Sequence, residues 1–160
     1  IDGNGEPRHY GAEATDYYSR LPKPYEPGNR YLRSIDELLM VKGYTTEVFK
    51  AIAPFVTGYS PDGLVNINTA PQEVLMSLSD DVNSDLAARI MEFRKETPFK
   101  DRSGIMKVPG FETIGFALQD RITAQSSVYR IFSRAVAGEA VREVEAVVRV
   151  GGGVLYWRES

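Results

Sequence analysis

The sequence predicts an α+β protein, with a mostly helical part over residues 1–127 and a small antiparallel β-meander over 128–160. Three observations carry this. Between Ser34 and Ile122, apolar residues recur at the three- and four-residue spacing of helices with one buried face. Gly43, Pro54, Pro71 and Pro98 punctuate those runs where helices start or stop. After Ser127 the period drops to two, the pattern of half-buried strands.

Residues 1–31 read as irregular. Asp2-Gly-Asn-Gly-Glu6 is turn-rich, and Pro7, Pro22, Pro24 and Pro27 forbid a long helix. Tyr10, Tyr17, Tyr18, Tyr25 and Tyr31 supply amphipathic rings able to pin such a segment onto a core. Ser34 caps a helix with Asp36 and Glu37 in its first turn and Ile35, Leu38 and Leu39 on one face. Gly43 stops it, Thr45-Thr46 restart through Val48, Phe49 and Ile52, and Pro54 ends the second run. The pair is a first αα-hairpin.

After a turn at Ser60-Pro-Asp-Gly63 comes a short extended stretch, Val65-Asn-Ile-Asn68. Thr69 is expected to cap the next helix, with Pro71 in its first turn and Gln72 closing a capping box. Val74, Leu75 and Leu78 give that helix its apolar face. Ser84 or Asp85 starts another, carrying Leu86, Ile90 and Phe93 and ending before Thr97-Pro98. A last helix is expected from Ile114 to Ile122. In the meander, Tyr129, Ile131, Ser133 and Ala135 share one face of the first strand, and Val144, Ala146, Val148 and Val150 share one face of the second. Val154 to Arg158 forms the third strand beyond Gly151-Gly-Gly153. Three short strands cannot bury an apolar face alone, so a helix or second sheet must cover it.

Composition narrows the function. With 42% hydrophobic and 26% charged residues and no 18-residue apolar run, the sequence shows neither a membrane span nor a signal peptide. The chain begins at Ile1 rather than Met, which leaves room for an upstream segment. Net charge is −3, with 14 Lys+Arg against 18 Asp+Glu over residues 1–127 and 5 against 4 over 128–160. Neither part is basic, which argues against binding driven by phosphate neutralisation. Absence of cysteine rules out disulfides and thiolate chemistry but leaves the compartment open.

Val65-Asn-Ile-Asn-Thr-Ala-Pro71, the joint at Thr97-Pro-Phe99 and the turn Val108-Pro-Gly-Phe111 resemble helix-hairpin-helix (SAM-like) units. Such units hold phosphate by backbone N–H groups in a Gly-x-Gly hairpin at a helix N-terminus, assisted by Lys or Arg. Here the first hairpin reads Leu78-Ser-Asp-Asp-Val-Asn-Ser-Asp85, without glycine and with three repelling carboxylates. The second keeps Gly110 but follows it with Phe111-Glu112, and Gly43 is followed by Tyr44-Thr45. A bracing scaffold is the stronger reading. A DNA-binding module of the competence-protein type is the alternative.

Taken in order, the pieces resemble the type II secretion system minor pseudopilin K family (general secretion pathway protein K). The resemblance runs through Asp2 to Glu6 with Pro7, Gly11-Ala-Glu13, Tyr17-Tyr18, Ser34 to Gly43, Ala53-Pro54 with Thr57, and Val65 to Pro71. It continues through Thr97-Pro-Phe99 and Ser126 to Phe132, and closes on Val154-Leu-Tyr-Trp157. It implies a pilin-like sheet into which a helical domain is inserted, and a non-enzymatic protein at the tip of a periplasmic pseudopilus. Its partners would be the minor pseudopilins I and J, with no nucleic acid. Inner-membrane anchoring would come from an N-terminal apolar helix not among these residues, the helix that packs on the sheet in pilin-like folds.

Two acidic clusters offer calcium-type oxygen donors: Asp2, Asn4, Glu6, Glu13 and Asp16, and Asp80, Asp81, Asn83 and Asp85. Neither matches the EF-hand pattern. The resemblance adds calcium as an expectation for the whole protein without choosing a cluster. The N-terminal group is favoured because a long irregular segment needs a tie-down beyond its tyrosines. Zinc has no Cys and only His9 to use.

For catalysis, His9 stands without a nucleophile or orienting acid at a recognisable spacing, and no G-x-S-x-G, P-loop or dinucleotide fingerprint occurs. A hydrolase therefore has only fold-neutral support. Tyr156-Trp157, with Tyr129 and Phe132, is expected mostly in the core of the meander, with part of the set open to a partner.

Overall fold

The structure is a computed structural model, described here for residues 17–26, 28, 30, 32, 34–60 and 62–160. The chain divides after Gly58 into two compact units. In the first, a 3₁₀ helix at Ile35–Met40 takes the place of the expected α-helix after Ser34. Ser34 still caps it, accepting from the Asp36 N–H at 3.2 Å. Thr45 caps α1 (Thr46–Ile52) by accepting from the Val48 N–H at 3.3 Å. Pro54 does not stop the chain abruptly. It sits inside a 3₁₀ turn, Ala53–Phe55, where its missing N–H costs nothing.

The tyrosines do pin this unit. Tyr18 is buried, with the Tyr17 and Tyr25 rings each 5.2 Å away. Its hydroxyl accepts from the Lys42 N–H at 3.2 Å, and the Tyr25 hydroxyl donates to the Met40 carbonyl. Tyr10 and Tyr31 lie outside the described residues.

The second unit holds the main core. β1 (Val65–Asn66) runs parallel to β2 (Ile122–Thr123), so residues that open and close the helical stretch lie side by side. The last helix is therefore shorter than expected. α4 spans Ile114–Leu118, and Ile122 is a fully buried strand residue rather than a helical one. α2 (Gln72–Met76) and α3 (Ser84–Glu96) pack together, and a 3₁₀ helix at Arg102–Lys107, which the periodicity did not reveal, leads toward α4. Ile67, Leu75, Ile90, Ile105, Val108, Phe111 and Ile122 are fully buried and form one cluster.

One expected cap is corrected. The N-cap of α2 is Pro71, with no side-chain cap, and Gln72 does not reach back toward Thr69. It donates instead to the Ser84 hydroxyl at 2.7 Å and carbonyl at 3.2 Å, tying α2 to the start of α3. α3 begins at Ser84 as expected, capped by Asn83, whose Oδ1 accepts from the Leu86 N–H at 3.0 Å.

The meander is an antiparallel sheet in the order β3-β4-β5, formed by Val128–Ala137, Ala140–Arg149 and Val154–Glu159. β3 and β4 are longer than the alternation suggested and close through a tight turn at Gly138-Glu139. A register shift between Val147 and Val148 leaves Leu155 unpaired, a bulge that bends β5.

Gly110 is where an added side chain would crowd Leu86. Its φ is +94°, and an added Cβ would lie 2.7 Å from Leu86 Cδ2. Gly138 has a positive φ too, but nothing within 4 Å. Gly138→Ala should therefore cost only the conformational ~1–2 kcal/mol, while Gly110→Ala should cost the same plus the small shift of the flexible Leu86 terminus. Urea unfolding midpoints of the two variants, side by side, measure the difference.

Candidate functional site

The Asn-Ile-Asn signature proves to be a joint. The Phe99 N–H donates to Asn68 Oδ1 at 2.9 Å, and Asn68 Nδ2 donates to the carbonyls of Phe99 and Ala124, both at 2.9 Å. One side chain thus holds the Thr97-Pro-Phe joint and the exit from β2. Asn66 works beside it: its Oδ1 accepts from the Asn68 N–H at 2.9 Å and its Nδ2 donates to Ser126 Oγ at 2.8 Å. Arg94 Nη1 donates to the carbonyls of Ile67 and Ala70, each at 2.8 Å. Burial lowers the Arg94 pKa from its ordinary value, and the two carbonyl oxygens offset that desolvation. Arg121 Nη1 likewise donates to the Leu78 carbonyl at 2.7 Å. The motif residues were legible; their partners, tens of residues away, were not.

The Gly110 amide is occupied from within. The Gly110 N–H, which a phosphate-binding turn would present, donates to Glu112 Oε2 at 3.0 Å and Oε1 at 3.2 Å. Arg89, the nearest cation, is spent too. Its Nη1 donates to the Pro109 carbonyl at 3.2 Å and its Nη2 pairs with Asp85 at 2.6 Å. Glu112's own backbone N–H, then that of Gly110, and finally Arg89 hold its carboxyl below the usual range. In the other slot Asp80, Asp81 and Asp85 are exposed, and a carboxylate row repels a polyanion. At Gly43 the following Tyr44 N–H is taken by the Val41 carbonyl at 3.1 Å.

The five residues expected to hold calcium, Asp2, Asn4, Glu6, Glu13 and Asp16, lie outside the described residues, as does His9. The second acidic cluster does not converge. Asn83 is committed to its cap and Asp85 to Arg89, and Asp81 Oδ2 accepts from Ser79 Oγ at 3.4 Å. Among the described residues no group of three or more His, Cys, Asp or Glu could hold a metal ion.

The sheet carries a run of exposed large hydrophobic residues. Residues opposite one another in the register share a face. One face sets Tyr129 against Val148 and Val154, Ile131 against Ala146 and Trp157, and Ser133 against Val144. Only Ala146 there is buried, while Trp157 is 60% and Val154 61% exposed. On the other face Val147 is buried and the Tyr156 ring lies 6.3 Å from that of Tyr59. Farther along, Glu145 sits between Arg158 at 2.9 Å and Arg130 at 3.5 Å, Arg134 meets Glu143 at 3.2 Å, and Phe132 is 70% exposed. Of the aromatic set expected mostly in the core, only Tyr156 is substantially covered. Strand alternation reveals which residues share a face, not whether anything lies on it.

Three outcomes follow from this geometry. Asn68→Ala orphans the Phe99 N–H and removes two donors, and should cost about 2–3 kcal/mol in urea unfolding. Asn68→Asp keeps the acceptor but turns a carboxylate toward two carbonyl oxygens, so it should be no milder at neutral pH. A carboxyl whose folded pKa is depressed stabilises above its unfolded value and loses that contribution as pH falls through the folded one. Glu112→Gln should thus lower the unfolding midpoint at neutral pH, with the gap to wild type closing below the ordinary glutamate range.

Comparisons with known proteins agree with this architecture. Residues 1–61 and 65–126 match two family models, each described as type II secretion system (T2SS), protein K. The chain is 29% identical over 151 residues to the type II secretion system protein K of Aeromonas hydrophila, spanning 86% of this chain and 43% of that protein. It is 36% identical over 70 residues to the protein of the same name from Pectobacterium carotovorum subsp. carotovorum, spanning 43% of this chain and 21% of that one. In fold it is similar to a chain in the crystal structure of the GspK-GspI-GspJ complex from the enterotoxigenic Escherichia coli type 2 secretion system. The TM-score is 0.73 at 17% identity, over 94% of this chain and 55% of that one. The chain thus spans about half or less of the length of each of these relatives. With two models of one family matching most of its length, and its α+β fold shared with a chain of that complex, the chain belongs to the type II secretion system protein K family.

Proposed function

We propose that this chain is part of a minor pseudopilin that does no chemistry and acts at the tip of the type II secretion pseudopilus, in export of proteins across the outer membrane. The observation that carries the reading is the pairing of a polar-jointed helical unit with an apolar sheet face left open at Tyr129, Ile131, Val154 and Trp157. In the full-length protein that face would receive the long N-terminal apolar helix of a pilin-like fold, which would also anchor the periplasmic domain to the inner membrane. Among the described residues no helix is long and apolar enough to cross a membrane. The remaining sheet surface would dock the minor pseudopilins I and J, which the related complex brings together with protein K. The bulky helical part would cap the fibre by blocking the face on which another subunit would stack.

The experiment is size-exclusion chromatography of the full-length periplasmic region mixed with pseudopilins I and J, alongside a duplex-DNA column. Co-elution with the partners is expected, together with no retention by DNA at physiological salt and no change on Lys42→Glu or Lys107→Glu. Separate elution removes the assembly reading, and salt-sensitive DNA retention weakened by those two substitutions would replace it with the nucleic-acid one.

Calcium belongs to the same proposal, held by Asp2, Asn4, Glu6, Glu13 and Asp16, and it rests on their donor chemistry. A site present only in the folded state adds about 2.7 kcal/mol at a hundredfold excess of ligand over its Kd. The melting temperature should therefore rise from EDTA to millimolar calcium, and an unchanged midpoint removes the ion from the reading.

A further inference from the structure

We draw no further inference here: the strongest candidate, the surface patch on the second face of the β3–β5 sheet where Phe132, Val136 and Val141 stand exposed beside Arg–Glu pairs, carries nothing because nothing in the structure shows what covers it.

Discussion

The helical unit depends on one amide. Asn68 is fully engaged by its surroundings: its oxygen takes the Phe99 N–H and its nitrogen serves two carbonyls. Beneath it Ile67 is fully buried, so the polar joint sits directly over the apolar cluster. Irregular backbone near a core must satisfy its N–H and C=O groups with something other than ladder bonds. Here Asn66, Asn68, Arg94 and Arg121 do that for the turns around Ile67, Ala70, Leu78, Phe99 and Ala124. Short helices that could not persist alone are thereby held in one arrangement by side chain to backbone bonds.

The same economy acts at the Gly110 hairpin, whose amide is taken from within. A free N–H at a tight turn is an anion site by default. Glu112 fills that role at Gly110, and Arg89 is divided between Asp85 and the Pro109 carbonyl. The turn is neutralised locally, without a ligand. The acidic bias of residues 1–127 is thus partly a structural device: some of those carboxylates are the acceptors that the helix ends and turns require. Asp101 does the same where it caps the 3₁₀ helix, its carboxyl held down first by the Ser103 hydroxyl.

Local chemistry was the legible part of this sequence. Ser34 and Thr45 cap as their residue types suggest, because a cap is decided within three or four positions. Strand alternation gave the sheet and its faces, since Tyr129, Ile131 and Ser133 do lie across from Val148, Ala146 and Val144. What failed was decided at a distance. Thr69 lost its capping role because Asn66 and Asn68 organise the turn before α2. Ile122 left the helix because a parallel neighbour at Val65 claimed it. The 3₁₀ helix after Asp101 is too short to leave a period. The exposed aromatics of the sheet were misplaced for a related reason, since alternation carries no information about what lies above a strand.

The parallel pairing of Val65 with Ile122 has an architectural consequence. Neighbouring strands lie roughly 4.8 Å apart, so the chain enters and leaves the intervening helices through a gap no wider than one backbone spacing. A segment with such close ends can be spliced into a host fold as a cassette, because the host need part only one connection to admit it. The helical body between Val65 and Ile122 can then change in length without moving its own entry and exit.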